Sequence, residues 1–256
     1  MENSNVIVFD TETTSIDKPF AYDVGYTIMN RNGEILKKRH FIIEQAWHNL
    51  PLFSSAYYAE KRPMYVGLLR SRQAEMSKWG WVMQAMNQDV KKYNIVAAYA
   101  FNSTFDDRVF FFNCDWYKTK NPLETIPVFD IWGYSSQFIT NTDEYRDFAE
   151  TNQCFTESGN ISGNAENVYR FLTADTDFTE AHMGLQDSEI ESQILMACIK
   201  RGAEWEEEYK VIQKIPREIE TPYTIKVNGN IIHSGQYIKK YIRNGVYSFT
   251  EKTMGE

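Results

Sequence analysis

Two carboxylates one residue apart, Asp10 and Glu12, stand directly after the apolar run Val6-Ile7-Val8-Phe9. A second cluster, Asn102-Ser-Thr-Phe105-Asp106, follows Ile95-Val96-Ala97-Ala98-Tyr99, and a third, His182-Met-Gly-Leu-Gln-Asp187, opens a helical pattern. Alternate side chains on a strand share a face, so Asp10 and Glu12 project to the same side of a strand end. Carboxylates held together repel unless a cation sits between them. Their oxygens are hard ligands suited to Mg²⁺ or Mn²⁺, which also bind substrate phosphates. Asp106 and Asp187, arriving from other elements, would complete a four-carboxylate site. Sites of that kind hold two ions roughly 3.5–4 Å apart and stabilise both oxygens of an in-line phosphoryl displacement. His182 adds what carboxylates lack, a base that is neutral near physiological pH, and such a base contributes roughly 10²–10⁴-fold in rate.

Each cluster has an ordinary reading when taken alone. Asp-x-Glu after a strand is commonly a solvated strand end. Phe-Asp is commonly a helix start, with Asn102 or Asp106 capping. A lone histidine is commonly a surface group, and His40, His48 and His233, without such company, are read as structural. The joint occurrence of all three clusters, in order and on suitable elements, favours the metal site. Asp107 points about 100° away from Asp106 on a helix, so one of the pair faces the metals, and Phe105-Asp106 is the better match. Glu189 and Glu191 are read as solvated, on other faces than Asp187.

The elements that must position these groups follow from periodicity. Residues 5–9 read as a buried strand. Val24–Asn30 and Ile35–Ile43 read as two more, joined at Arg31-Asn32-Gly33, where Asn-Gly would supply the positive φ angles of a tight hairpin. Residues 44–72 lack a clear period; they hold Trp47, Phe53, Tyr57, Tyr58 and Tyr65 with Lys61, Arg62, Arg70 and Arg72, and no acid from Lys61 to Ala74. Met76, Trp79, Met83, Met86 and Val90 predict an amphipathic helix of about 18 residues whose apolar stripe is core. Further elements are a strand at Ile95–Tyr99, a helix at Phe105–Asn113 and a short strand ending at Asp130. A mostly helical stretch Gly133–Asn152, a polar loop 156–165 and a helix from Asn167 to Leu172 come next. The helix Asp187–Arg201 is closed by Gly202. Glu204–Lys214 reads as helical. Residues 221–250 lack Asp and Glu and read as strands, with Asn228-Gly229 as a turn.

Bulk properties set bounds. A 256-residue chain with 43% hydrophobic and 24% charged residues can bury one sizeable core. Cys114, Cys154 and Cys198 form no C-x-x-C pair, which argues against a disulfide framework or structural zinc site. No stretch approaches the ~20 apolar residues of a membrane span, and the first strand starts too early for a cleavable leader. A cytoplasmic protein is therefore expected. The net charge of −8 is not that of a default nucleic-acid binder, but a carboxylate site is itself negative until cations fill it. The basic, tyrosine-bearing stretches 57–72 and 221–247 are candidates for guiding single-stranded substrate by phosphate contacts and base stacking.

The motifs Phe9-Asp-Thr-Glu-Thr-Thr14, Asn102-x-x-Phe-Asp106 and Ala181-His-x-x-Leu-x-Asp187 resemble those of the DEDDh 3′–5′ exonucleases, a group that includes polymerase proofreading subunits and ribonuclease-T-like enzymes. The resemblance runs over about residues 5–202 and implies an α/β, ribonuclease-H-like fold: a mixed five-stranded sheet flanked by helices. Residues 1–202 would form this domain, and 203–256 a small β-rich C-terminal appendage (a helix plus a β-hairpin) packed on it. It also implies hydrolysis at nucleic-acid 3′ ends with two Mg²⁺ or Mn²⁺ ions. Asp10 would bridge both ions, Glu12 and Asp187 would assist, Asp106 would act through an intervening water, and His182 would be the base. Thr11, Thr13, Asn102 and Phe105 would line the cleft around the terminal nucleotide, and Asp130 would cap a helix. Two departures stand out. Gly184 replaces a common Ala, a mild change, and the segment between the first two motifs is longer than in compact members.

Three functions are compatible with the clusters. The leading one is a 3′–5′ exonuclease, with DNA slightly favoured over RNA and a free, single-stranded 3′ end as substrate. The others are an endonuclease of ribonuclease-H type and a catalytically silent nucleic-acid-binding module; the His-x4-Asp spacing and the full set of carboxylates favour the first.

Overall fold

The computed structural model describes residues 4–212 and, as backbone, three strands further on, Glu218–Val227, Asn230–Tyr241 and Tyr247–Glu251. The chain opens with β1 (Asn5–Thr13), β2 (Ala21–Asn30) and β3 (Ile35–Ile43), an antiparallel meander. Short helices α1 (Glu44–Trp47), α2 (Leu50–Phe53) and α3 (Arg62–Arg70) follow, then β4 (Glu75–Ser77) and α4 (Trp79–Lys92). Next come β5 (Ile95–Ala100), α5 (Ser103–Tyr117), β6 (Val128–Asp130), α6 (Ile131–Ser135), α7 (Asp143–Thr151), α8 (Ala165–Thr173) and α9 (Gly184–Lys200). The main sheet has the order β4-β3-β2-β1-β5-β6, with β5 parallel to β1 and β6 parallel to β5. Six strands rather than the expected five arise because Glu75–Ser77 adds a parallel edge to β3.

The period of two along β1 explains how the layers form. Val6 and Val8 enter one apolar cluster with Ile131, Tyr134, Ile190 and Ile194, from α6 and α9. Ile7 and Phe9 enter a second with Trp79, Met83, Met86, Val109 and Phe110, from α4 and α5. All four β1 residues are at most 1% exposed, so the strand is covered on both faces. Continuing the alternation, Asp10 and Glu12 fall on the α9 side and Thr11 on the α5 side. A third cluster, with Tyr22, Trp47, Phe53 and Tyr65, lies under the segment that sequence periodicity left unassigned.

Several local expectations change in detail. The Met/Trp helix begins at Trp79, not Met76, because Met76 belongs to β4. In the β2–β3 turn only Gly33 takes positive φ (+86°); the Gly33 N–H donates to the Asn30 carbonyl, so Asn32 keeps ordinary backbone angles. Glu204–Lys214 forms no helix up to residue 212. Its backbone N–H groups turn inward instead, Glu206 donating to the Tyr99 hydroxyl and Glu207 to that of Tyr134. Gly202, at φ +99°, closes α9 as expected. The three C-terminal strands form their own antiparallel sheet, β7-β8-β9, with β7 at Glu218–Val227, β8 at Asn230–Tyr241 and β9 at Tyr247–Glu251. The Asn228-Gly229 turn, the side chains of the basic stretch 221–247 and the appendage's packing on the main domain lie outside the described residues. Among the described residues the three cysteines are buried and unpaired, and no helix is long and apolar enough to cross a membrane.

Candidate active site

Asp10 and Glu12 end β1 on the face covered by α9, and α9 carries Asp187 in its first turn. Ligand atoms of Glu12, His182 and Asp187 all lie within 4.8 Å of one another. Asp106 reaches the same strand end from α5: its Oδ1 accepts both the Thr11 N–H (3.0 Å) and the Thr11 hydroxyl (2.6 Å). Thr11 is therefore a buried holder of Asp106. Thr13 directs its hydroxyl to the Ser15 carbonyl at 3.3 Å. Asn102 sits exposed at the β5–α5 corner with φ +63°, its N–H donating to Asp130 Oδ1, and Phe105 is half-buried against the α5-side core. Asp130 also accepts the Trp132 N–H as the cap of α6. Asp107 is exposed while Asp106 is 2% exposed, as the helical angle requires.

The α9 N-terminus is seated by tertiary contacts. Met183 offers no side-chain cap, and Asp23 of β2 accepts the Gly184 N–H at 3.0 Å instead. Asp23 is fully buried beside His40, whose Nε2 lies 2.9 Å from Asp23 Oδ1. Asp187 Oδ2 accepts the Met183 N–H at 2.8 Å. Gly184 is no mild departure: a Cβ there would stand 2.5 Å from the Gly25 nitrogen and 3.1 Å from Asp23 Oδ1.

Glu191 corrects the sequence reading. Four residues beyond Asp187 is 400° around a helix, nearly the same face. The residue is 3% exposed, and its Oε2 accepts the Phe101 N–H at 3.2 Å. Glu189, by contrast, does face outward and pairs with Lys38. The i,i+4 spacing was the signal that could have placed Glu191.

Crowded carboxylates dominate the electrostatics. Burial pushes Asp10 well above the usual carboxylate range, and Asp106, Glu191, Asp187 and Glu12 push it further. Burial raises Glu12 to about 8, with Asp23 adding repulsion and the Lys61 ammonium opposing. Asp187 rises to about 9 through burial, then Glu180 and Glu12. Asp106 rises to about 7 through burial, against the two Thr11 hydrogen bonds. Burial and the Lys61 ammonium lower His182, favouring the neutral imidazole, while Glu166 opposes them. The donor set fits a divalent cation. Asp10 Oδ2 and Asp187 Oδ1 are buried and accept no hydrogen bond from the described residues, which is costly for carboxylate oxygens unless a cation or proton satisfies them.

No family model and no curated protein sequence matches the chain. Solved structures do. The moderately thermophilic exonuclease I from Methylocaldum szegediense matches with a TM-score of 0.53 at 14% identity. E. coli exonuclease I in complex with a dA16 oligonucleotide matches at 0.50 and 12%, and the zinc-ion-bound form of the E. coli exonuclease I–ssDNA complex at 0.50 and 11%. Each match covers 78% of this chain and 41% of that chain, so this chain spans less than half the length of those proteins. The chain shares the fold of these exonuclease I structures, an α/β architecture with a mixed sheet between helical layers, as expected from the sequence.

Proposed function

We propose that this protein is a metal-dependent 3′–5′ exonuclease that hydrolyses phosphodiester bonds at nucleic-acid 3′ ends, with single-stranded DNA favoured over RNA. One observation carries the reading. Two buried carboxylate oxygens, on Asp10 and Asp187, lack a donor among the described residues, beside a Glu12–His182–Asp187 group whose ligand atoms lie within 4.8 Å of one another. The preference for single-stranded DNA is supported by the fold's likeness to exonuclease I structures that hold such oligonucleotides.

Asp10, Glu12, Asp106 and Asp187 would hold two divalent ions, Mg²⁺ or Mn²⁺. Bound there, the ions supply charge neutralisation at the phosphodiester and lower the pKa of water. The chain's own residues do the rest. Thr11 fixes Asp106, and Asp23 fixes the start of α9 and with it Asp187. His182, with Nδ1 3.8 Å from Glu180 Oε2, would take the proton of the attacking water at Nε2.

The test is hydrolysis of 3′- and 5′-labelled single- and double-stranded DNA and RNA with Mg²⁺ or Mn²⁺. Mononucleotides released in order from the 3′ end, fastest from single-stranded DNA, are expected. Cleavage of a circular single strand, or full activity in EDTA, overturns the reading.

A further inference from the structure

The segment between β3 and β4 packs on the loop that carries His182. That loop is held at four consecutive residues. Lys61 Nζ donates to the Ala181 carbonyl at 2.7 Å, and the Tyr65 hydroxyl to the His182 carbonyl at 3.4 Å. The Met183 and Gly184 N–H groups go to Asp187 and Asp23. His182 itself has φ +48°, a left-handed conformation that a non-glycine residue keeps only where its surroundings impose it. Against its ring lies Tyr58, stacked with centroids 4.3 Å apart and planes 11° from parallel. The Lys61 ammonium sits 4.1 Å from the centre of the same Tyr58 ring.

Lys61 and Arg62 are therefore engaged within the protein, Arg62 lying 4.1 Å from the Trp47 ring and donating to the Trp47 carbonyl. The part of stretch 57–72 nearest the carboxylates holds a loop.

We propose that Tyr58 is a positioning residue for His182, its ring backed by Lys61 and stacked on the imidazole so that the base stays beside Glu12 and Asp187. The inference deepens the exonuclease reading and rests on it for its kinetic consequence. The stack itself does not depend on that reading. A stacked aromatic pair biases a local equilibrium by roughly two- to tenfold, less than the roughly 10²–10⁴-fold that a general base contributes. Losing the stack should therefore slow turnover without abolishing it. A residue that acts only by holding the base changes kcat and leaves KM in place.

Two measurements on the full chain decide the matter. The first compares Tyr58→Ala and Tyr58→Phe with Mg²⁺ on single-stranded oligonucleotides. Tyr58→Ala should lower kcat roughly two- to tenfold with KM unchanged, and Tyr58→Phe, which keeps the ring, should recover most of it. The second records the His182 imidazole proton resonances, identified by their disappearance in His182→Ala. They should be displaced by the Tyr58 ring current in the parent protein and in Tyr58→Phe, and move toward the position of an unstacked histidine in Tyr58→Ala. The other histidine resonances in the same spectra show that the fold is retained. Unchanged His182 resonances in Tyr58→Ala overturn the proposal. So do equal losses of kcat in both variants, or a raised KM with kcat unmoved, which would make Tyr58 a substrate contact. If the parent protein hydrolyses nothing, the exonuclease reading falls, and the resonances alone still decide whether Tyr58 holds His182.

Discussion

Gly25 and Gly184 meet backbone to backbone. A Cβ on Gly25 would stand 1.9 Å from the carbonyl carbon of Gly184 and from the nitrogen of Leu185. Gly25 is also the antiparallel partner of Asp10. The start of α9 is thus pressed onto the strand directly beside the first carboxylate, and this contact brings Asp187 to Asp10.

Gly25→Ala should therefore act on the site as well as the core. Overpacking of this kind costs typically 1–3 kcal/mol, and backbone on both sides cannot yield as a side chain would. A melting temperature lowered by roughly 6–12 °C is expected, from about 3 kcal/mol at 2–4 °C per kcal/mol. Hydrolysis should fall with it. A thermal melt that matches the parent protein would remove the argument from close contact.

Carboxylates raised by burial and mutual repulsion make the metal-free protein sensitive to pH. Glu12, Asp106 and Asp187 rise from 4.5, 3.8 and 3.8 to about 8, 7 and 9. A group whose folded pKa is raised stabilises the fold fully below its unfolded pKa and loses that contribution as pH climbs through the folded value. In EDTA the melting temperature should decline between about pH 4 and pH 9. Saturating Mg²⁺ or Mn²⁺ should flatten the decline, because an ion bound only to the folded state adds RT ln(1 + [L]/Kd). A pH-independent melting temperature in EDTA contradicts this account.

Asp10→Asn removes one charge from that cluster. It should raise the melting temperature in EDTA, abolish hydrolysis and shrink the stabilisation gained on adding Mg²⁺. These opposite effects separate a ligand from a structural carboxylate. If Asp10→Asn lowered stability equally with and without the ion, the residue would be structural.

Glu191 joins α9 to the β5–α5 corner through the Phe101 N–H. Glu191→Ala leaves that buried donor unmet, at about 1–3 kcal/mol, and should also loosen the turn leading to Asp106. Glu191→Gln keeps an acceptor and removes a charge, so denaturant unfolding should show the stability retained. Equal stability of the two variants would mean that the hydrogen bond contributes nothing.

His182→Ala should leave the metal-dependent rise in melting temperature largely in place while slowing hydrolysis by roughly 10²–10⁴-fold. Loss of the thermal response together with the activity would instead make His182 a ligand, a role that its place within 4.8 Å of Glu12 and Asp187 also permits.

How much of this was readable in advance depends on the range of the interactions. The identities of Asp10, Glu12, Asp106, His182 and Asp187 and the elements carrying them followed from local pattern. Alternation along β1 set their faces, and caps and breakers marked α9. The cap role of Asp130 and the choice of Asp106 over Asp107 came from the resemblance of the motifs, not from local rules. Glu191 was legible too, through its helical angle from Asp187. Tyr58, Lys61 and Asp23 were not, because each acts on residues more than a hundred positions away and no short-range period encodes that separation. Nor could sequence show that Gly184 is obligatory, since its reason is the Gly25 backbone across the sheet. The chain by itself determined which acidic groups and which histidine are candidates for a cation site and on which face of each element they stand. Only the tertiary structure decided that α9 seats on β2, that the segment between β3 and β4 grips the His182 loop, and that burial leaves oxygens of Asp10 and Asp187 without a donor among the described residues. Those outcomes depend on packing between distant segments, where differences of a few tenths of an ångström in contact distance select one arrangement.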